Sequence, residues 1–138
     1  MSTEHASAVA WHGRGVLIRG GSGIGKSSLA LGLIEQGALL VADDQVTLHA
    51  GSGDLLMTAP TPLAGLLEIR GVGITRWPYL ISVRVALVVE LVPSAQVERL
   101  ADLETTRLLD CHVPIVCLSG GPLAPSQVAA ILRARPSL

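Results

Sequence analysis

One stretch of the chain has the residue types and spacing of a phosphate-binding loop. Residues 20–27 read G-G-S-G-I-G-K-S, which fits the P-loop pattern G-x-x-x-x-G-K-S. Glycines allow successive backbone N–H groups to turn toward phosphate oxygens, because no Cβ blocks positive φ or close approach. Lys26 would reach the β- and γ-phosphates, and the Ser27 hydroxyl would hold Mg²⁺. The motif predicts binding of a nucleoside triphosphate with Mg²⁺.

The residues on either side of this loop support that prediction. The apolar run 16–18 predicts a strand, and residues 28–34 have the composition of a helix that begins near Lys26. The N-terminus of such a helix adds the positive end of its dipole. A glycine-rich turn that only connects a strand to a helix is the alternative. The predicted binding residues are Gly20, Gly21, Ser22, Gly23, Ile24, Gly25, Lys26, Ser27 and Ser28.

Two adjacent carboxylates follow the next apolar run. Residues 38–42 are continuously apolar, as in a strand buried on both faces of an α/β sheet, and Asp43 and Asp44 come directly after them. Ligands in open α/β sheets bind outside the carboxyl ends of the strands. One carboxylate there could hold Mg²⁺, and the other could accept the proton of an attacking hydroxyl. An acidic turn that only caps the next element is the alternative.

A third carboxylate lies inside an apolar run. Glu68 falls within residues 66–74, where an unpaired charge would be costly, so either Mg²⁺ or Arg70 is expected to compensate it. In a strand, Glu68 and Arg70 would point to the same face, and a structural ion pair is therefore the alternative. Gly71 and Gly73 suggest a backbone that turns or approaches a ligand closely.

Composition limits the class of protein. With 138 residues, the chain is expected to form one domain that spans residues 1–138. Hydrophobic residues make up 49% and charged residues 15%, which favours apolar surface covered by other subunits. A net charge of −1 and few aromatic residues argue against nucleic-acid binding. Without a signal-peptide pattern or an apolar run of membrane length, we expect no membrane association and a cytoplasmic location.

The remaining pattern predicts an α/β domain in which a mixed central sheet is flanked by helices. Strands are expected at 7–11, 16–19, 46–49, 55–57, 83–92 and 113–118. Helices are expected at 26–36, 94–100 and 126–133, and a surface loop at 75–82.

Three stretches of the chain resemble the catalytic domain of HPr kinase/phosphorylase, a bacterial enzyme that phosphorylates a serine of the phosphocarrier protein HPr. They are Gly21–Ser27, Leu40–Val46 and Leu67–Ile74, in the order of the family. The third stretch looks like the signature sequence of the family. The resemblance runs from about His5 to Ile74 and is weak beyond it. It implies a P-loop kinase-like fold.

The resemblance also implies roles for the matching residues. Lys26 and the loop amides would hold the phosphates of ATP. Asp44 looks like the general base that takes the proton from the HPr serine, and His5 falls where the family has an active-site histidine. The implied Mg²⁺ ligands are Ser27 and Glu68, and Asp43 is the further ligand expected from its place at the strand end. The signature loop contributes Arg70, Gly71 and Gly73.

The implied cofactors are ATP and Mg²⁺, and the implied partner is HPr in a regulatory phosphotransferase system, as in the short alphaproteobacterial form of the family. The family assembles into hexamers, so a homo-oligomer is expected. Residues 118–123 correspond to a family loop that carries an arginine tied to dephosphorylation. They contain no arginine, so phosphorylase activity is left open.

Other classes of P-loop protein compete with this reading. A small-molecule kinase would usually carry an arginine-rich lid, which is not found between residue 54 and the end. A GTPase would need an N-K-x-D motif, and the chain contains no asparagine. A catalytically silent ATP-sensing module is favoured by the missing arginine, whereas Asp44 and Glu68 argue against it.

Overall fold

A computed structural model describes residues 1–99 and 102–138, and these form eleven strands and two α-helices. The strands are β1 (Ser2–Glu4), β2 (Ser7–Trp11), β3 (Arg14–Gly20), β4 (Leu39–Ala42), β5 (Val46–Gly51), β6 (Asp54–Thr58), β7 (Leu66–Ile69), β8 (Gly73–Arg76), β9 (Val83–Leu91), β10 (Glu104–Leu108) and β11 (Cys111–Leu118). The helices are α1 (Lys26–Glu35) and α2 (Ala124–Ala134). No helix in these ranges is long and apolar enough to cross a membrane.

One mixed sheet forms the centre of the domain. Its main strand order is β1-β5-β6-β9-β3-β2-β4, and β11 and β10 branch from β9. Strand β9 runs parallel to β3 on one side. On its other side, its first residues pair with β6 and its last residues pair with β11. The predicted α/β class with a mixed central sheet is confirmed.

Both helices pack on one face of this sheet. One apolar cluster joins α1 and α2 to the sheet through Val9, Val16, Ile18, Leu29, Leu33, Leu87, Val89, Val128 and Leu132. A second cluster fills the opposite face and contains Ala8, Leu17, Val46, Leu48, Met57 and Val88. Successive residues of a strand point to opposite faces, so β3 and β9 are buried on both sides. This explains why they read as continuous apolar runs.

The sheet is rolled, and two short links join its ends. His5 and Ala6 connect β1, at one end of the strand order, to β2 near the other end. Residues 43–45 connect β4, at the far end, to β5 beside β1. A chain reaches at most about 3.6 Å per residue, so links this short require the two ends of the sheet to lie side by side. Both links carry predicted site residues.

The prediction of a helix at 94–100 is wrong. Ser94–Gln96 form only a 3₁₀ turn, the next residue, Val97, is extended, and Leu100 lies outside the described residues. The side chain at the cap makes no hydrogen bond to the free amides of this turn. A single turn without a cap does not offset the cost of helix nucleation.

Several elements differ from the expected ones in extent. Strands β1 and β10 are not in the sequence prediction, and residues 66–76 form a separate hairpin of β7 and β8. The loop expected at 75–82 therefore begins only after Arg76. Strand β4 is buried at residues 40–42, whereas Leu39 is exposed at the edge of the sheet.

We expect Gly15→Ala to destabilise the fold, because β3 and β9 approach too closely for a side chain there. A Cβ on Gly15 would lie 2.8 Å from Cε of Met57 and 2.9 Å from Cγ1 of Val83, and closer still to the carbonyl oxygen of Arg84. Overpacking of this kind costs about 1–3 kcal/mol. Chemical denaturation should show a lower midpoint than for Gly51→Ala, where a Cβ meets nothing within 4 Å. Equal midpoints for the two variants would contradict the close approach.

Candidate active site

The glycine-rich loop forms the strand–loop–helix unit that the motif predicts. It leaves β3 at Gly20 and enters α1 at Lys26. Gly23 and Gly25 have φ values of 76° and 114°, a region that favours glycine. A Cβ on Gly21 or Gly25 would meet nothing within 4 Å. There is therefore open space beside the loop at these two glycines.

Lys26 is held against the start of this loop. Its Nζ donates hydrogen bonds to the carbonyl oxygens of Gly20 at 2.8 Å and Gly21 at 3.0 Å. The residue is buried although it carries a charge. It is also the single lysine of the chain. The ammonium group therefore stands where phosphate oxygens bound by the loop amides would need a counter-charge.

Asp43 is a buried carboxylate that connects four parts of the chain. It follows β4 and is 5% exposed. Its oxygens accept hydrogen bonds from Ser7 Oγ at 2.6 Å, from Ser27 Oγ at 2.8 and 3.1 Å, and from the backbone N–H of Glu68 at 3.2 Å. These donors compensate the burial of the charge. Sequence reasoning missed Ser7, although a serine within a buried apolar strand was a signal for a polar partner.

Ser27 and Asp43 are the predicted Mg²⁺ ligands that the structure brings together. Hydroxyl and carboxylate oxygens are hard donors, and this pair fits Mg²⁺. Within the described ranges, no three His, Cys, Asp or Glu side chains cluster as a metal site. Mg²⁺ usually keeps several waters and substrate oxygens in its coordination shell and takes only one or two protein carboxylates. The assignment of Ser27 and Asp43 as its ligands stays a prediction.

Asp44 points away from its neighbour. The N–H of Gln45 donates to the carbonyl oxygen of Asp43 at 2.8 Å, which closes a three-residue γ-turn around Asp44. The φ of Asp44 is 69°, the rare and strained form of this turn. Its side chain is 62% exposed and hydrogen-bonds His5 Nε2 at 3.0 Å. The turn therefore aims one carboxylate at the P-loop helix and the other at His5 and the solvent.

An ion-pair network joins the link that carries His5 to the P-loop strand. Arg19 precedes Gly20 and lies opposite Glu90 in the β3–β9 register. Its guanidinium contacts Glu90 Oε1 at 3.0 Å and Glu4 Oε1 at 3.6 Å. Glu4 is the last residue of β1 and comes directly before His5. These three side chains tie the position of His5 to the start of the loop.

The expected burial of Glu68 is wrong. Leu67 of β7 is buried and Glu68 is exposed, because successive residues of a strand face opposite ways. Its carboxylate therefore needs no compensation. The alternative, an ion pair with Arg70, is also absent from the part of the chain that the structure describes. Glu68 meets the site through its backbone N–H, which binds Asp43.

The turn of the β7–β8 hairpin lies close to the P-loop. Gly71 and Gly73 have φ values of 84° and 110°, which explains the need for glycine in this turn. Arg70 Nη2 lies 3.9 Å from the position that a Cβ on Gly23 would take. The hairpin therefore places a guanidinium beside the glycine-rich loop.

The loop after β11 also packs closely against the P-loop. A Cβ on Gly120 would lie 2.6 Å from the carbonyl oxygen of Ile24. This is the segment in which the sequence has no arginine. A glycine at this position is required by the close approach of the two backbones.

These features define the class of the protein. Strand β3 leads into a P-loop, and a buried aspartate after β4, which β2 separates from β3, accepts a hydrogen bond from the serine at the start of α1. This is the arrangement of a P-loop domain of the kinase-like type.

Comparison with known proteins then gives the family. The model of the HPr Serine kinase C-terminal domain matches residues 1–132, and the chain belongs to this family. The match continues well past Ile74, where the resemblance was expected to weaken.

Individual relatives agree with this assignment. HPr kinase/phosphorylase of Brevibacillus brevis is 37% identical over 95% of this chain, and that of Chlorobium phaeobacteroides is 36% identical over 93%. The chain spans 45% and 43% of the lengths of these two relatives. The solved HPr(Ser) kinase/phosphatase of Coxiella burnetii is 27% identical, with a TM-score of 0.89 over 99% of this chain and 97% of that one.

We expect Ser7→Ala to lower the free energy of unfolding, because it removes a donor from the buried carboxylate of Asp43. A hydrogen bond to a charged group is worth about 1.5–3 kcal/mol. The measurement is urea denaturation, with Ser126→Ala as the matched control on the exposed side of α2. If the two variants unfold at the same urea concentration, the bond between Ser7 and Asp43 contributes nothing to the fold.

Proposed function

We propose that this domain is an ATP- and Mg²⁺-dependent protein serine kinase whose substrate is an HPr-type phosphocarrier protein. The observation that carries the proposal is the division of work between two adjacent aspartates. Asp43 is buried and accepts a hydrogen bond from Ser27 of the P-loop helix. Asp44 is exposed and hydrogen-bonds His5 at the same edge of the sheet. The names of the relatives, HPr kinase/phosphorylase, supply the substrate class.

The P-loop residues would bind the triphosphate. The loop amides and the Lys26 ammonium group would contact the phosphate oxygens, and Ser27 and Asp43 would hold Mg²⁺. When bound, Mg²⁺ neutralises charge on the β- and γ-phosphate oxygens. Because Ser27 and Asp43 already contact each other at 2.8 Å, these donors need little rearrangement to act together.

Asp44 would act as the general base. Its carboxylate accepts the proton of the serine hydroxyl as the serine oxygen bonds to the γ-phosphorus. The bond from that phosphorus to the bridging oxygen breaks, and ADP leaves. His5 orients the carboxylate through the 3.0 Å hydrogen bond to Oδ1. The network of Glu4, Arg19 and Glu90 would keep His5 in place.

The exposure of His5 and Asp44 favours a protein substrate. The side chains of His5 and Asp44 are 63% and 62% exposed. A small-molecule kinase usually closes a lid over its substrates, whereas a folded protein substrate needs an open approach to the base. The same substrate and ATP imply a cytoplasmic location and a place in a regulatory phosphotransferase system. The phosphorylase reaction is not part of the proposal.

A homo-oligomer is proposed as well. Several large apolar side chains are exposed, and apolar surface of this kind often marks subunit contacts. They are Leu39, Val72, Ile74, Tyr79, Ile81 and Leu123.

Asp44→Asn should abolish most phosphate transfer and leave ATP binding unchanged. Loss of a positioned general base lowers the rate by about 10²–10⁴-fold. We would measure transfer from labelled ATP to purified HPr, and ATP affinity by calorimetry. Asp54→Asn, in the exposed β5–β6 hairpin, is the matched control and should retain full activity. HPr with its target serine changed to alanine controls for the site of transfer.

Each outcome of this experiment separates the candidate functions. An unimpaired Asp44→Asn variant would rule out the role of Asp44. If the wild-type domain binds ATP and transfers nothing to HPr, the silent ATP-sensing alternative is favoured. If a metabolite rather than HPr stimulates ATP turnover, the small-molecule kinase alternative is favoured.

Bound ATP should protect Lys26 from acylation. Because Lys26 is the single lysine, an amine-reactive reagent can modify only this side chain and the N-terminal amine. Peptide mass mapping then distinguishes the two positions. We expect Mg²⁺–ATP to slow acylation of Lys26 and to leave the rate at Met1 unchanged, in both the wild type and Asp44→Asn. Equal acylation of Lys26 with and without ATP would contradict the phosphate assignment.

A further inference from the structure

An open pocket lies directly beside the proposed general base. It has a volume of about 510 Å³ and is lined by Thr3, Glu4, His5, Asp44 and Gln45. We call it the rim pocket. Its residues belong to the end of β1 and to the two short links between the ends of the rolled sheet. The rim pocket and the general base therefore form one continuous surface.

The rim pocket lies where an antiparallel ladder is interrupted. Glu4 of β1 pairs with Val46 of β5, and Ala8 of β2 pairs with Ala42 of β4. Three residues lie between these pairs on each of the two segments, so the ladders on either side share one register. Among the described residues, no backbone pair joins the two intervening stretches, and the γ-turn at Asp44 lies in one of them. The opening is therefore built into the sheet.

A serine that gives its proton to Asp44 brings its neighbours in the substrate chain to the rim pocket. The hydroxyl oxygen must come within about 2.6–3.2 Å of the carboxylate, and Asp44 itself lines the pocket. Because the attack on the γ-phosphorus is in line, the carbon atoms of the serine extend away from the phosphates. The Cα of the adjacent residue is about 3.8 Å from that of the serine, so this residue lies at the pocket.

The charges of the rim pocket favour one kind of neighbour. Glu4 and Asp44 line it with carboxylates, and in the described part of the chain neither lysine nor arginine lines it. Arg19 contacts Glu4 at 3.6 Å from outside the lining, but it also contacts Glu90 at 3.0 Å. One guanidinium is thus shared by two carboxylates. A cationic side chain in the pocket would complete the pairing of Glu4, whereas an anionic one would be repelled.

We propose that the rim pocket receives the residue beside the acceptor serine and selects a basic side chain there, with Glu4 as its contact. The inference rests on the proposed kinase function. The partner that fits is a protein whose acceptor serine is preceded or followed by lysine or arginine. Thr3 and Gln45 complete the lining, and their hydroxyl and amide groups can hydrogen-bond the backbone of the same segment.

Selectivity, rather than rate, tests this role. Glu4 also helps to hold His5 through Arg19, so its loss could slow transfer to every acceptor. Such a positioning effect lowers the rate with all acceptors by the same factor. Loss of a direct contact instead changes the ratio between acceptors that differ only in the residue beside the serine.

The experiment uses HPr in which the residue before or after the target serine is changed in turn to lysine, alanine or glutamate. We would measure kcat/KM for transfer from labelled ATP with the wild-type domain, Glu4→Gln and Gln45→Glu. The first variant removes a carboxylate from the rim pocket and the second adds one at an exposed position. Asp54→Asn, at the exposed start of β6, is the matched control.

We expect the wild type to prefer lysine over glutamate by about tenfold or more at one of the two positions. Glu4→Gln should lower this ratio, Gln45→Glu should raise it, and Asp54→Asn should leave it unchanged. Because every domain variant meets the same HPr preparations, effects of the HPr changes on HPr itself cancel in the comparison.

Equal wild-type values of kcat/KM for the lysine and glutamate forms at both positions would overturn this inference alone. An unchanged ratio in Glu4→Gln would do the same, and if that variant does not fold, an unchanged ratio in Gln45→Glu decides against the inference. If no form of HPr accepts phosphate from the wild-type domain, the proposed function and this inference both fail.

Discussion

The buried carboxylate of Asp43 is the interaction on which the site depends. A charge removed from water must be met by donors, and here the donors come from β2, from α1 and from the backbone of β7. The hydrogen bonds that satisfy Asp43 also fix the P-loop helix and the β7–β8 hairpin relative to β4. Removing any donor would leave part of the charge unmet, so the positions of these elements depend on one another.

The rolled sheet explains why the two exposed site residues meet. His5 and Asp44 lie far apart in the chain, yet each sits in a short link between opposite ends of the strand order. Closing the sheet therefore brings the two links together. The strain of the γ-turn at Asp44 is tolerated because Asp43 and Gln45 are held on both sides, one by its buried hydrogen bonds and the other by the start of β5.

Sequence reasoning succeeded where the residues that form a pattern are neighbours in the chain. The P-loop follows from eight neighbouring residues, its strand and helix follow from the stretches directly before and after it, and the mixed α/β class follows from the apolar runs along the chain. It failed where the outcome depends on distant partners. The donor role of Ser7 depends on a residue 36 positions away. Glu68 looked buried because its neighbours are apolar, but an isolated hairpin leaves one of its faces in solvent. The 94–100 segment had helical composition and no cap.

The geometry also bears on how an open site could avoid wasting ATP. Catalytic sites exclude water at the moment of transfer, and many P-loop kinases do so with a lid. In this domain the proposed base, Asp44, is more than half exposed. Under the proposed function, a docked protein substrate would itself cover His5 and Asp44. The surface that presents the serine would then also exclude water, so a dedicated lid over the base would block the substrate rather than assist it.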